Sequence, residues 1–440
     1  MKYKHYDVEY VDPSTLTVPP THANTHSHRQ IAKLKKSIET NGCLSVLVAD
    51  KHNVVYAGAA RLEALKQLGC QKVPVIRPEG LSEAQLRAFA LADNRIAQDS
   101  QWDDGLLKIE LSYLVDCDTE IDLDTTGFET AEIDNLLIVE SMESSAGEPP
   151  IPDNVPFVTQ PGDVWLLVPH RIACGDSTSP AQMAALTLST EAVLHISDPP
   201  YNVPTRGHIS TTDDADHGDF VMAAGEMSAE EFTDFLVKAL IVLANVCGQG
   251  SLHYLFMDWR HLRELLAAVD AVFSEQLNLC VWAKTNGGMG SFYRSQHELV
   301  VVAKKGTAPH INNIQLGAHG RYRTNLWRYA GMNTFGSDRE ECLAAHPTVK
   351  PLKMIADIIL DASKLGDVVL DGFLGSGTTL LACEQTKRIC RGMELDPRYV
   401  DVAIRRWETL TGGHAVHEAS GKTFSELAAA SGCEPEEVLS

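Results

Sequence analysis

Residues 368–385 read VVLDGFLGSGTTLLACEQ, and how this run divides decides the fold. VVLD has the character of a buried strand. A turn holding Gly372, Gly375 and Gly377 follows, and helical spacing begins at Thr378. Glycines let a backbone turn sharply and approach a ligand closely. A helix opening directly after such a turn points its first amides at that ligand. The next apolar run, RICRGMELD (388–396), ends in Glu394, 23 residues after Asp371. An acid about 20 residues beyond a glycine turn is how nucleotide-binding α/β units hold ribose hydroxyls. The loop lacks a G-K-[ST] ending, a G-x-G-x-x-G spacing and a G-x-S-x-G elbow. These absences disfavour a P-loop, a dinucleotide site and a hydrolase. The plain alternative is a strand-to-helix turn with no ligand.

Working outward, the same alternation runs through 157–414. Apolar runs such as DVWLLV, RIAC, AVLHIS, SLHYLFM, LNLCVWA and ELVVVAK are separated by helical patterns. This predicts a largely parallel sheet with helices on both faces. The run EAVLHI stops at SDPPYNV (197–203). Two prolines there stiffen the backbone and delete two amide donors. They leave a ledge of carbonyls between Asp198 and Tyr201, which is either a tight turn or a seat for a flat polar ligand.

A chain of 440 residues should form two or three domains. No apolar run reaches the roughly 20 residues that span a bilayer, the first residues lack a signal-peptide core, and a cytoplasmic protein is expected. Ten scattered cysteines without a C-x-x-C pair argue against a disulfide scaffold or a zinc ribbon. No metal is expected. The net charge of −22 is unevenly spread: residues 99–154 carry 16 acids and one base, whereas 284–339 carry eight bases and two acids. The basic segment is either a solvated face or a phosphate-contacting surface.

Residues 1–98 mix short apolar runs with helical patterns closed by Gly42 and Gly69, and Ser82 with Gln85 forms a capping-box pattern. The reading is a small α/β domain over 1–115 and an acidic helical segment and linker over 116–156. The sheet domain covers 157–414, and a tail with one helix covers 415–440.

Residues 160–414 resemble the amino-group DNA methyltransferases that use S-adenosylmethionine (AdoMet). The resemblance rests on DPPY (198–201), DGFLGSGTT (371–379) and HPTVKP (346–351), with the ledge ahead of the loop as in the beta class. That family usually has Pro where this chain has Gly372. The resemblance implies a Rossmann-like AdoMet-dependent sheet, double-stranded DNA as partner, and a base flipped from the duplex. It makes Asp198, Pro199, Pro200 and Tyr201 the catalytic ledge: Asp198 and a proline carbonyl accept from the target amine, and Tyr201 stacks on the base. Asp371, Phe373, Gly375, Ser376, Gly377 and Thr378 are implied around the methionine end of AdoMet. Thr348 and Lys350 fall to its carboxylate, Glu394 to the ribose, and Asp176 to the adenine. An aspartate on the ledge is commoner in enzymes that methylate adenine N6, which favours that target over cytosine N4. Target contacts are expected within 286–340, with Arg294, Lys304, Lys305, Arg321, Arg323 and Arg328 neutralising phosphates. Phe292, Tyr293, Tyr322 and Trp327 are expected to pack in the core or to stack on bases.

Residues 8–115 resemble ParB/sulfiredoxin-like domains through SIETNGCLSVLVAD, VVYAGAARLEALKQLGCQKVPVI and LADNRIA. The G-x-x-R segment of relatives is Gly58–Arg61 here, a candidate phosphate site. Ala59 replaces the His or Glu of many relatives, which disfavours nuclease activity. A homodimer and a restriction or chromosome-partition partner are compatible with this reading. The rival is a ParB-like adaptor whose methyltransferase half is inactive. A zinc base deaminase needs H-x-E and P-C-x-x-C, and neither is present.

Overall fold

The computed structural model describes residues 5–20, 23–117, 122–138, 157–203, 225–285, 287, 292–317, 321–329 and 350–431. It divides into two compact units, Met1–Leu137 and Ile138–Ser440.

In the first unit, β1 (Val8–Val11), β2 (Leu47–Ala49), β3 (Val55–Ala57) and β4 (Val73–Ile76) form one sheet in the order β1-β4-β2-β3. Leu16, Leu47, Val55, Leu62, Leu65, Val73 and Val75 make its core. Ser27 caps helix His28–Asn41, and the Ser82–Gln85 capping box opens helix Glu83–Gln98. Acids at 122–129 are paired with helix His28–Asn41. Lys36 Nζ lies 2.5 Å from Asp122 and 2.7 Å from Asp124, and Lys33 Nζ lies 2.8 Å from Glu129. Burial works against the Glu129 carboxylate, yet Arg29 and Lys33 hold its pKa down at about 2.

Among the described residues the second unit is built on ten strands: β5 (Val164–Leu167), β6 (His170–Cys174), β7 (Ala192–Ser197), β8 (Cys247–Met257), β9 (Glu275–Ala283), β10 (His297–Lys304), β11 (Leu326–Arg328), β12 (Val368–Asp371), β13 (Ile389–Glu394) and β14 (Val416–His417). Their order is β11-β9-β10-β8-β7-β12-β13-β6-β5-β14. The central run β8-β7-β12-β13-β6 is parallel throughout. Antiparallel pairing enters at β10 and at the far edge, so the sheet is mixed. At the far edge the two-residue connection Val168–Pro169 between β5 and β6 leaves no room for a parallel crossover.

Both faces are covered, which explains the continuous apolar strands. Tyr254 and Phe256 of β8 point into the core shared with helices Leu352–Ala362, Thr378–Thr386 and Pro397–Thr411. Leu255 and Met257 point the other way, onto helices Ala229–Asn245 and Leu262–Val272. The tail also belongs to the sheet: β14 pairs with β5, and Phe424 packs edge-on against Trp165 at 5.3 Å. Among the described residues no helix is long and apolar enough to cross a membrane.

The order places β7 beside β12. From β7 the chain proceeds to β8 on one side, and from β12 to β13 on the other. Such a reversal opens a crevice beyond the carboxyl ends of the two strands, where ligands of α/β sheets bind. Asp371 sits opposite Ile196, two residues before Asp198. The glycine loop and the proline ledge therefore leave the sheet side by side.

Candidate active site

The loop is shaped by its own strand ends. Gly375 (φ 54°) and Gly377 (φ 88°) take left-handed backbone conformations. A Cβ on Gly377 would lie 2.7 Å from that of Ala403, whereas one on Gly375 would meet nothing within 4 Å. Gly377 thus serves close helix packing, and Gly375 faces open space. A Cβ on Gly372 would come 2.5 Å from Leu243 Cδ2, so the buried leucine tip fills the room there.

Asp371 ends β12 and is buried. It accepts from the Phe373 amide at 3.0 Å and the Thr379 hydroxyl at 2.6 Å. Glu394 ends β13 and accepts from the amides of Gly375 (2.8 Å) and Asp396 (2.9 Å). Burial pushes the Asp371 carboxyl up to about 7 and raises that of Glu394, against the hydrogen bonds that favour their charged forms. Among the described residues neither acid has a basic side chain as partner. Two underpaired acids beside an open glycine turn fit a ligand that brings positive charge and hydroxyl donors. Ser376 is buried, and Arg406 holds its carbonyl at 2.8 Å and its hydroxyl at 3.0 Å. Thr378 begins the helix, and Phe373 stands 6.2 Å from the ring of Phe235. Asp176 lies in the turn after β6, where it accepts from the Thr178 amide (2.8 Å) and hydroxyl (2.9 Å). Its neighbours reach the same rim: the Gly175 amide donates to the Glu394 carbonyl at 2.8 Å and the Ser177 hydroxyl to the Gly372 carbonyl.

The ledge is more crowded than the sequence implies. Asp198 Oδ1 lies 2.5 Å from the Tyr201 hydroxyl, and Asp198 Oδ2 lies 2.6 Å from Lys350 Nζ. Glu298, at the start of β10, lies 3.1 Å from the Tyr201 hydroxyl and 3.2 Å from Lys350 Nζ. Its other oxygen is 2.5 Å from Lys284 Nζ. Burial raises the Asp198 pKa; Lys350 opposes this and Glu298 adds to it. Burial works against the Lys350 ammonium, but Asp198 and Glu298 outweigh it and lift its pKa. Burial also opposes ionised Glu298, and the two lysines overcome it, so its pKa is lowered. Among the described residues no donor reaches the carbonyls of Pro199 or Pro200. Asn202, in a left-handed conformation, ties the ledge to Gly225 and Met227.

The remaining expected site residues are placed as follows. Lys350, expected at the AdoMet carboxylate, lies 2.6 Å from Asp198 and 3.2 Å from Glu298. The phenol of Tyr201 is turned into this cluster. Thr348 lies outside the described residues. Four of the six expected phosphate contacts have internal partners. Arg321 and Arg323 bind Asp361 at 2.7 and 2.9 Å, Lys305 donates to the carbonyls of Ala244 and Cys247, and Lys304, nearly buried, faces Glu275 at 3.4 Å. Arg294 and Arg328 remain exposed, as do Phe292, Tyr293 and Tyr322, whereas Trp327 is core. In the first unit, Gly58 (φ 90°) opens helix Ala59–Gln67 and Arg61 donates to the Val46 carbonyl at 3.1 Å. Glu298 and Lys284 escaped sequence reading. Their signal was a lone acid opening an apolar strand, and a lysine at the end of its neighbour.

The sequence matches the DNA methylase family over residues 193–405, the ParB N-terminal domain over 2–95 and the ParB-methyltransferase HTH domain over 105–161. It is 24% identical over 234 residues to the type II methyltransferase M.HpaI of Haemophilus parainfluenzae, covering 50% of this chain and 69% of that one. It is 28% identical over 142 residues to M2.MboI of Moraxella bovis, covering 31% of this chain and half of that one. Among solved structures, the M1.HpyAVI–SAM complex aligns with a TM-score of 0.39 at 20% identity, over 53% of this chain and 97% of that one. Residues 193–405 thus carry the match to the DNA methylase family, and the matches to the ParB N-terminal domain and the ParB-methyltransferase HTH domain precede it in the same chain.

Proposed function

We propose that the chain transfers a methyl group from AdoMet to the exocyclic N6 of an adenine flipped out of double-stranded DNA. The observation that carries this reading is the adjacency of β7 and β12, which opens ledge and loop into one crevice. Bound AdoMet would supply an electrophilic methyl on a sulfonium. Asp371, Gly375, Ser376 and Gly377 would hold its methionine end and Glu394 its ribose hydroxyls, with Phe373, Thr378 and Asp176 lining the same rim.

An exocyclic amine is a poor nucleophile because its lone pair conjugates with the ring. Asp198 and a proline carbonyl, accepting from its two N–H groups, draw the nitrogen toward pyramidal geometry and aim the lone pair. Charge-assisted bonds of this kind are the stronger sort. Alignment supplies much of the remaining gain. As the new N–C bond forms, the nitrogen acquires a surplus positive charge, which it sheds by passing one proton to the Asp198 carboxylate. Asp at the ledge supports adenine; cytosine N4 is the other outcome that base analysis would report. Gly58 and Arg61 offer the first unit a phosphate contact, and Arg294 and Arg328 offer the second unit two.

The test is Asp198→Ala. It should abolish transfer of labelled methyl to DNA while isothermal titration shows AdoMet affinity within about threefold of native, since the cofactor residues are untouched. Full activity in this variant would refute the assignment.

A further inference from the structure

The mechanism uses Asp198, yet in this structure both of its oxygens are taken. Oδ1 faces the Tyr201 hydroxyl at 2.5 Å and Oδ2 faces Lys350 at 2.6 Å. A target amine must displace one of them. A nearly buried ammonium moved off its carboxylate needs another anion within reach, because an uncompensated buried charge is strongly destabilising. Glu298 Oε2 already stands 3.2 Å from Lys350 Nζ and 3.1 Å from the Tyr201 hydroxyl. Lys284 anchors its other oxygen at 2.5 Å. Glu298 also sits on a fixed strand, opposite Trp282 of β9. The four groups Asp198, Lys350, Glu298 and Tyr201 close a ring in which small shifts exchange partners without a new cavity.

We infer that Glu298 is a positioning residue for methyl transfer: it takes over Lys350 and Tyr201 when the target amine occupies Asp198. The inference rests on the methyltransferase reading. The exchange does two things. It frees one Asp198 oxygen for the amine, and it removes the cation that weakens Asp198 as a proton acceptor. When the C–N bond forms and the C–S bond breaks, the donor leaves as a neutral thioether. The surplus proton of the nitrogen then passes to a carboxylate no longer held by Lys350. Among the described residues the charged and titratable groups around Asp198 are Lys350, Glu298, Tyr201 and Asp371, with Lys284 behind Glu298.

The test compares native, Glu298→Gln and Glu298→Asp chains. It uses tritiated AdoMet and DNA from a methylation-free host, with kcat followed across pH and AdoMet affinity by titration. Gln keeps the size but removes the Glu298 anion that faces Lys350. Turnover should fall about ten- to a hundredfold with AdoMet affinity unchanged. Transfer requires ionised Asp198 and is lost as pH falls through its pKa. Removing the Glu298 charge lowers that pKa, so the acid limb should move to lower pH. The shorter acid should fall between native and Gln. Native turnover with an unmoved limb in Glu298→Gln would overturn the inference. So would equal losses in both variants accompanied by weaker AdoMet binding and lower melting temperature, which would make the residue merely structural. A native chain that methylates no DNA would overturn the underlying methyltransferase reading, and this inference with it.

Discussion

Asp371 is buried at the end of a central strand with its pKa pushed up to about 7 from an ordinary 3.8. The folded state therefore keeps a proton that the unfolded chain gives up. Stability falls as pH rises between those two values, and below both the group has no effect. Asp371→Asn should accordingly melt no lower than native at pH 8 without cofactor, lose that advantage near pH 4, and bind AdoMet more weakly. Melting curves across pH with and without AdoMet check this; a lower melting temperature at every pH would contradict it. The same buried chemistry explains which residues could be read in advance. Asp198 and Asp371 were legible because their motif neighbours fix their place. Glu298 and Lys284 were not, because nothing in sequence pairs an acid at 298 with a base at 350 or 284. Their pairing exists only once β10 lies beside β8 and β9 in one sheet.

Glycine turn and helix form one element, and its two left-handed glycines have different duties. Gly377→Ala should cost about 1–3 kcal/mol, because its new methyl meets Ala403 at 2.7 Å and must push helix Pro397–Thr411 away. Gly375→Ala should cost only about 1 kcal/mol of conformational strain, yet still weaken AdoMet binding, since its methyl enters open space. Chemical denaturation and titration separate the two; equal stability losses would contradict the assignment. The loop, its helix and the capping box at Ser82 were visible in the sequence because they are local. The partners of the basic stretch 284–339 were not legible, for the opposite reason. Arg321 and Arg323 meet Asp357 and Asp361 only once helix Leu352–Ala362 is in place. Composition counts charges but not the partners that topology supplies.

At the scale of the molecule, among the described residues the hydrophobic clusters beneath the crevice draw only on residues from 158 onward. A chain of residues 157–440 should therefore unfold in one cooperative transition and bind AdoMet as the full chain does. Calorimetry and titration would show this, and failure to bind would place part of the cofactor site in the first unit. The parallel centre and both covered faces were readable from apolar strand runs. The neighbourhood of β7 and β12 was not, since strand order leaves no mark on local pattern, and it came only by resemblance. That neighbourhood is also the claim on which the functional reading stands. The most direct measurement is long-read sequencing of DNA from a methylation-free host expressing either the native chain or Asp198→Ala. The account predicts N6-methyladenine at one recurring sequence with the native chain and none with the variant. Unmodified DNA from the native chain, or the same marks from both, would contradict it.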